Sequence, residues 1–244
     1  MMRFGIDIGS TTTKAVLLDG GAAQKIIRPT GCRPAATARQ IWEECGSPPR
    51  AAATGYGRTL ADFAGKKITE ITCHARGVRH LHPDARALID VGGQDSKAAA
   101  LDANGGARQF AMNDKCAAGT GAFIESILRR FNWGWADLPR VAAAAPEPLT
   151  INATCAVFAE SEVISLLANG AAVERILAGI HRAAAKRIAR LFAQTGGGAP
   201  VYFTGGAAQN PLLKIALERE LGLPLNVATD PQFVGAYGAA VSVT

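Results

Sequence analysis

Residues 3–20 read RFGIDIGSTTTKAVLLDG. Phe4, Ile6 and Ile8 alternate with small or polar residues, which is the period of a strand. Gly9 to Thr13 supply turn residues and Lys14 to Leu18 a second apolar run, so the stretch predicts a β-hairpin. A turn built from Gly, Ser and Thr lets backbone N–H groups and hydroxyls converge on a phosphate. Asp7, two residues ahead of Gly9, can hold Mg²⁺ at the same phosphates, directly or through water. An ordinary polar hairpin turn is the alternative, and this motif alone leaves both readings open. A Walker A loop is excluded, because the chain has no GxxxxGK[ST] and no helix is expected after the turn.

The same device recurs in ARALIDVGGQDSKAAALD, residues 85–102. Asp90, Gly92 and Gly93 echo Asp7 and Gly9, and two Asp-x-Gly hairpins in one chain suggest related halves facing each other across a cleft. A third Gly-rich turn, Gly205-Gly206, follows the strand Val201 to Phe203. Asn210 and Pro211 then open a helix with Leu212, Leu213 and Leu217 on one face. The chain closes with PQFVGAYGAAVSV, residues 231–243. Its Gly235, Ala236, Gly238 and Ala239 leave a helix face small enough for close approach to a ligand or a neighbouring element.

A chain of 244 residues suffices for one large domain or two ordinary ones and buries a full core without staples. Disorder is disfavoured at 48% hydrophobic and 19% charged residues. No secretory signal precedes the first strand and no apolar run reaches the length of a membrane span. The five cysteines, Cys32, Cys45, Cys73, Cys116 and Cys155, are odd in number and widely spaced, which argues for a reducing cytoplasm rather than a disulfide framework. The net charge of +6 comes from scattered residues, and the pairs Arg129-Arg130 and Lys66-Lys67 read as solvated faces, so no nucleic-acid partner is expected.

Two cysteines stand apart. Cys116 lies in NDKCAAGTGAFIES (113–126) and Cys155 in TCAVFAESEV (154–163), each at or just before an expected helix start. Amphipathic spacing follows them, at Phe123, Ile124, Ile127, Leu128 and Phe131, and at Val163, Ile164 and Leu167. Free N–H groups at a helix start favour thiolate over thiol and suit an anionic cluster. Composition alone also allows two small buried core cysteines.

GIDIGSTTTK, DVGGQDSK and FTGGAAQN, in this order, resemble the phosphate-1, phosphate-2 and adenosine segments of the acetate kinase, sugar kinase, heat-shock chaperone and actin superfamily. MNDKCAAGTGAFIE and TCAVFAESEVISL, with TGYGR (54–58), EITCHARG (70–77) and PQFVGAYGAA, resemble the ATP-dependent activators of 2-hydroxyacyl-CoA dehydratases. That family also includes the ATPase subunits of benzoyl-CoA reductase. The resemblance runs from about Arg3 to Val241.

The resemblance implies an α/β fold of two actin-like, ribonuclease H-like lobes with ATP between them, residues 1–85 with about 231–244 in one and 86–230 in the other. It implies Asp7 and Asp90 around Mg²⁺ and the attacking water. Gly9, Ser10, Thr11, Thr12, Thr13 and Lys14, with Gly92, Gly93 and Gln94, would hold phosphates. Gly205, Gly206, Asn210 and Gln232 would border the nucleoside. Cys116 and Cys155 would each supply half of the four thiolates of one 4Fe-4S cluster shared across a homodimer. Expected partners are a ferredoxin or flavodoxin as electron donor and an iron–sulfur dehydratase or reductase as acceptor. A benzoyl-CoA-type or double-cluster reductase component, a small-molecule kinase and a nucleotide-gated scaffold are the competing classes.

The remaining motifs read as structural. Cys32 and Cys45 bracket a helix expected from Pro34 to Glu44, and His74, His80 and His82 are expected exposed or capping near a helix end. Cys73 receives no ligand role, because adjacent residues rarely converge on one metal. The stripe Val173, Ile176, Leu177, Ile180, Ile188, Leu191 and Phe192 is core packing. PRVAAAAPEPLT, 139–150, is expected to be a linker.

Overall fold

The computed structural model describes residues 2–113, 120–144, 146–152 and 155–243. Its frame is a pair of five-stranded mixed sheets. The first is built from β1 (Arg3–Ile8), β2 (Thr12–Asp19), β3 (Ala22–Pro29), β4 (Ala51–Thr54) and β5 (Lys66–Lys67), in the order β3-β2-β1-β4-β5. The second is built from β6 (Ala87–Val91), β7 (Ser96–Leu101), β8 (Ala107–Asn113), β9 (Val201–Thr204) and β10 (Leu225–Val227), in the order β10-β9-β6-β7-β8. In each, the first three strands form an antiparallel meander and the last two join in parallel beside the first strand. The two sheets therefore share one topology, as the repeated hairpins suggest. The strand β8 was not expected from the sequence.

Phe4, Ile6 and Ile8 are buried because the first sheet is covered on both faces. On one face their side chains pack with Ala38 and Ile41 of α1 (Pro34–Glu44), which has the expected bounds. On the other lies α8 (Val234–Val241), whose small residues are all buried. A Cβ on Gly5 would overlap the carbonyl of Ala236, so the small face of α8 serves close approach to a strand. Helix α2 (Glu70–Leu81) packs on α8, reaches β6, β7 and β8 of the second sheet, and buries Cys73 beside Ala52 of the first, so it touches both sheets.

The larger core lies on one face of the second sheet. There Ile89, Val91 and Phe203 meet Ile124, Ile127 and Leu128 of α3 (Gly121–Arg130), the stripe Ile176, Leu177, Ile180 and Ile188 of α6 (Val173–Ala193), and Leu213 and Leu217 of α7 (Pro211–Leu221). The α6 stripe is core, as its spacing predicts.

Residues 138–144 correct the linker expectation, since Leu138–Ala144 is a helix, α4. Alanines have high helix propensity, and Leu138 and Val141, three apart, bury one face. Helix α5 (Ala156–Ala168) buries Ala159 and Val163 and leaves Val157, Phe158 and Ile164 exposed, so of the expected stripe Val163 and Leu167 meet the core while Ile164 faces outward. Among the described residues, no helix is long and apolar enough to cross a membrane.

Candidate active site

Strand register places the site. In the first hairpin Asp7 pairs across the ladder with Lys14, and in the second Asp90 pairs with Lys97. The parallel neighbour adds a threonine to each, Thr54 beside Asp7 and Thr204 beside Asp90. A glycine with positive φ follows each threonine, Gly55 at 90° and Gly205 at 86°. A Cβ on Gly55 would strike the Asp7 carboxylate, and one on Gly205 would lie 2.7 Å from Asp90 Oδ1. Only glycine combines this backbone angle with room for the aspartate. Each half thus presents one Asp, Lys, Thr and Gly constellation at the ends of equivalent strands.

The turns close similarly. The Gly9 N–H donates to the carbonyl of Thr12 at 3.1 Å, and the Gly92 N–H to that of Asp95 at 3.0 Å. The turns face each other, for a Cβ on Gly93 would collide with Thr11 Oγ1 and lie 3.4 Å from Ser10 Oγ. The cleft between them is lined by Asp7, Gly9 to Thr12, Lys14, Asp90, Gly92 to Gln94, Gly205, Gly206 and Gln232, all foreseen from the sequence. Thr13 and Asn210 do not line it. Thr13 is buried against Thr30, with their hydroxyls 3.0 Å apart. Asn210 is buried behind the wall, where its Oδ1 accepts from the N–H groups of Leu212 and Leu213 to cap α7 and its Nδ2 donates to His181 Nε2.

Charges in the cleft are compensated by neighbours. Lys14 Nζ lies 3.1 Å from Asp7 Oδ2. Lys97 Nζ lies 2.5 Å from Asp95, 2.7 Å from Glu70 and 3.7 Å from Asp90. Burial pulls the Lys97 pKa down, but these carboxylates outweigh it and hold the ammonium above the usual lysine range. Burial pushes the Asp90 carboxyl up; His74, Lys97, the Thr204 hydroxyl and Lys14 more than offset that, so Asp90 stays below its ordinary value. Five carboxylates, Asp7, Glu70, Asp90, Asp95 and Glu125, line the cleft against two lysines, Lys14 and Lys97.

Sequence reasoning missed Glu70, His74, Asp95, Lys97 and the Glu125–Trp135 pair, whose side chains are joined by a 3.1 Å hydrogen bond. Lys97 was legible: Asp7 to Lys14 and Asp90 to Lys97 share one spacing, and Thr54-Gly55 and Thr204-Gly205 both follow short apolar strands. His74 is the plainest correction. It is buried in the middle of α2, with Nδ1 facing Asp90 and Thr204, because α2 turns this side toward the second sheet.

Cys155 is exposed at the N-cap of α5. Cys116 falls outside the described residues. Among the described residues no cluster of three or more His, Cys, Asp and Glu groups could hold a metal ion by itself. Cys32, Cys45 and Cys73 are free thiols.

The activator of lactoyl-CoA dehydratase of Anaerotignum propionicum is 42% identical over 250 residues, covering 99% of this chain and 96% of its own. The (R)-2-hydroxyglutaryl-CoA dehydratase activating ATPase of Acidaminococcus fermentans is 39% identical over 247 residues, covering 97% of this chain and 95% of its own. The solved structure of the activator of the 2-hydroxyisocaproyl-CoA dehydratase from Clostridium difficile, with bound ADPNP, superimposes with a TM-score of 0.89 at 39% identity, over 100% of this chain and 94% of that one. A family model matches residues 4–243, and on these grounds the chain belongs to the BadF/BadG/BcrA/BcrD ATPase family.

Proposed function

We propose that this chain is an ATP-hydrolysing activator that delivers a low-potential electron to a partner iron–sulfur 2-hydroxyacyl-CoA dehydratase. The observation that carries the reading is the attachment of α3 to the second phosphate turn. The N–H groups of Gly121 and Ala122 donate to the carbonyls of Gly92 and Gly93 at 2.9 and 3.1 Å. A displacement of that turn by nucleotide moves α3, and α3 directly follows the Cys116 segment.

In this reading the lobes are residues 1–85 with 231–244, and 86–230. The turns of residues 9–12 and 92–94, closed by the N–H groups of Gly9 and Gly92, hold the phosphates with Lys14, and Gly205, Gly206 and Gln232 border the nucleoside. Thr13 and Asn210 support those walls from behind. Asp7 and Asp90 orient the attacking water, and catalysis is positioning plus charge stabilisation.

The donor set suits Mg²⁺. A cleft with five carboxylates against two lysines repels a triphosphate unless a divalent cation accompanies it. Asp7 and Asp90 would hold that cation together with the phosphates, and it would neutralise charge on the transferred group. Cys155, exposed at a helix start beside exposed Val157 and Phe158, suits a site completed across a second copy. Cys116 and Cys155 of two copies would hold one 4Fe-4S cluster, which supplies one-electron chemistry when bound. A ferredoxin or flavodoxin is the donor, in a reducing cytoplasm under anaerobic conditions.

The test is reconstitution. Anaerobically purified protein should carry about four irons per dimer and should activate a 2-hydroxyacyl-CoA dehydratase only with both ATP and reduced ferredoxin. Hydrolysis of ATP with no activation of any such dehydratase would overturn the reading.

A further inference from the structure

Helix α2 inserts two consecutive side chains, Cys73 and His74, between the equivalent halves of the site. Cys73 is buried beside Ala52 of the first sheet, and His74 faces Thr204 and Asp90 of the second half. The halves share their Asp, Lys, Thr and Gly positions but differ in contacts: Asp7 pairs directly with Lys14 at 3.1 Å, whereas Asp90 has His74 Nδ1 at 3.3 Å and Lys97 only at 3.7 Å.

The hydrogen-bond geometry fixes its role. His74 Nδ1 lies 3.3 Å from Asp90 Oδ1 and 3.3 Å from Thr204 Oγ1. The Thr204 hydroxyl has one proton and two neighbours that only accept, Asp90 Oδ1 at 3.0 Å and the Ile89 carbonyl at 3.4 Å. A carboxylate oxygen only accepts, and this hydroxyl's proton is already used, so Nδ1 must carry a hydrogen. The other edge of the ring faces Gly235. A Cβ there would sit 3.0 Å from His74 Nε2 and 3.2 Å from Asp7 Oδ2. The imidazole thus lies alongside both aspartates, in a space that a side chain at position 235 would narrow.

Asp90 has a competing partner. Lys97 Nζ is 3.7 Å from Asp90 Oδ2, longer than its contacts to Asp95 and Glu70. A carboxylate released on the Oδ1 side can rotate onto this buried ammonium and away from the first hairpin, because an unscreened ion pair is strong in such a site.

We propose that His74 is a positioning residue for ATP hydrolysis: its Nδ1–H, with the Thr204 hydroxyl, holds the Asp90 carboxylate in place and keeps it from pairing directly with Lys97. The inference rests on reading the cleft as an ATPase site. It assigns to the EITCHARG segment a function in hydrolysis, with Glu70 drawing Lys97 from one side while His74 holds Asp90 from the other.

The test compares His74→Asn with His74→Gln in the full chain. The Asn amide reproduces the Nδ1–H position, and the Gln amide reproduces the Nε2 position. Loss of one preorganised contact should lower kcat for Mg-ATP hydrolysis about 100-fold in His74→Gln, with His74→Asn within about tenfold of wild type. Affinity for a non-hydrolysable ATP analogue should stay within about threefold in both, since the contact acts on the reaction and not on binding. Adding His74→Gln to Asp90→Asn should lower kcat no further, because both changes act through one carboxylate. In wild-type protein, ¹⁵N-histidine NMR should show a proton on His74 Nδ1, a readout that needs no variant to fold. Equal loss in the Asn and Gln variants, additivity with Asp90→Asn, or an unprotonated Nδ1 would each overturn the proposal. Wild-type protein that hydrolyses no ATP would instead count against the ATPase reading, and the NMR result would still judge the contact.

Discussion

Gly238 lies directly against the backbone carbonyl of Cys73, so close that a Cβ would overlap that oxygen. The contact is reciprocal, because Gly77 on α2 lies equally tight against the carbonyl of Val234 at the start of α8. The two helices therefore cross backbone to backbone. That crossing sets how far α2 reaches, and so it sets the position of His74 between the hairpins.

Gly238→Ala should destabilise the protein by about 2 kcal/mol or more, since overpacking against backbone cannot be relieved by a rotamer change. Gly198→Ala is the control, because a Cβ there would meet nothing within 4 Å; it should change stability by less than about 0.5 kcal/mol. Urea denaturation of the two variants measures both values. Equal stabilities would mean that the helices separate without cost.

Removal of divalent cations should weaken ATP binding at least about tenfold, roughly 1.4 kcal/mol. The reason is the excess of carboxylates over lysines in the cleft. Titration with ATP in EDTA and in Mg²⁺ checks it, and equal affinities would show that Lys14, Lys97 and the backbone suffice.

Asp7→Asn should lower Mg-ATP turnover about 10²- to 10³-fold, the usual effect of losing one preorganised charge contact. The substitution keeps the shape of a side chain that is buried and paired with Lys14, so the fold should survive. Unchanged turnover in a folded variant would remove Asp7 from the metal and water site.

His181 carries a pH-dependent part of the stability. Its Nδ1–H donates to the carbonyl of Leu177 at 2.7 Å, and Nε2 accepts from Asn210 at 2.8 Å, so the ring is held neutral. Burial pulls its pKa down from 6.5 to about 4. The unfolded chain binds the proton more tightly, so the contribution is complete above pH 6.5 and is lost as pH falls toward 4. The loss is about 3 kcal/mol by linkage. Unfolding free energies of wild type and His181→Gln from neutral pH down to that folded-state value should diverge by that amount. Parallel curves would mean that the imidazole is not buried neutral.

Thiol reactivity should follow burial. Cys32 and Cys155 are exposed, whereas Cys73 is fully buried, its thiol pushed up to about 11 chiefly by that burial, with Asp7 and Glu70 adding to it. Iodoacetamide at about pH 8 should therefore alkylate Cys32 and Cys155 in cluster-free protein and reach Cys73 only on unfolding. Mass spectrometry locates the adducts, and early modification of Cys73 would contradict the packing of α2 on α8.

Much of the architecture was written locally. Alternation in Phe4, Ile6 and Ile8, turn residues at Gly9 and Gly92, and Pro34 at a helix start are short-range signals, and the hairpins and α1 formed where those signals lie. The Asp, Gly and Lys positions of the cleft came with the hairpins, because an antiparallel register of fixed length puts Asp7 opposite Lys14 and Asp90 opposite Lys97. The alanine run at 138–144 misled, since its helix depends on burying Leu138 and Val141 against distant elements.

What the amino-acid order determined by itself was therefore each half of the site. What only the tertiary structure decided was how other elements complete them. Thr204 reaches Asp90 across 114 residues of chain and His74 across 130, and neither meeting leaves a periodic trace in the sequence. Asn210, which reads as a ligand-facing residue, is turned inward instead to cap α7 and fix His181. Periodicity and turn chemistry act over a few residues, whereas side-chain meetings of this kind depend on how whole elements pack, here on two glycines that let α2 and α8 touch.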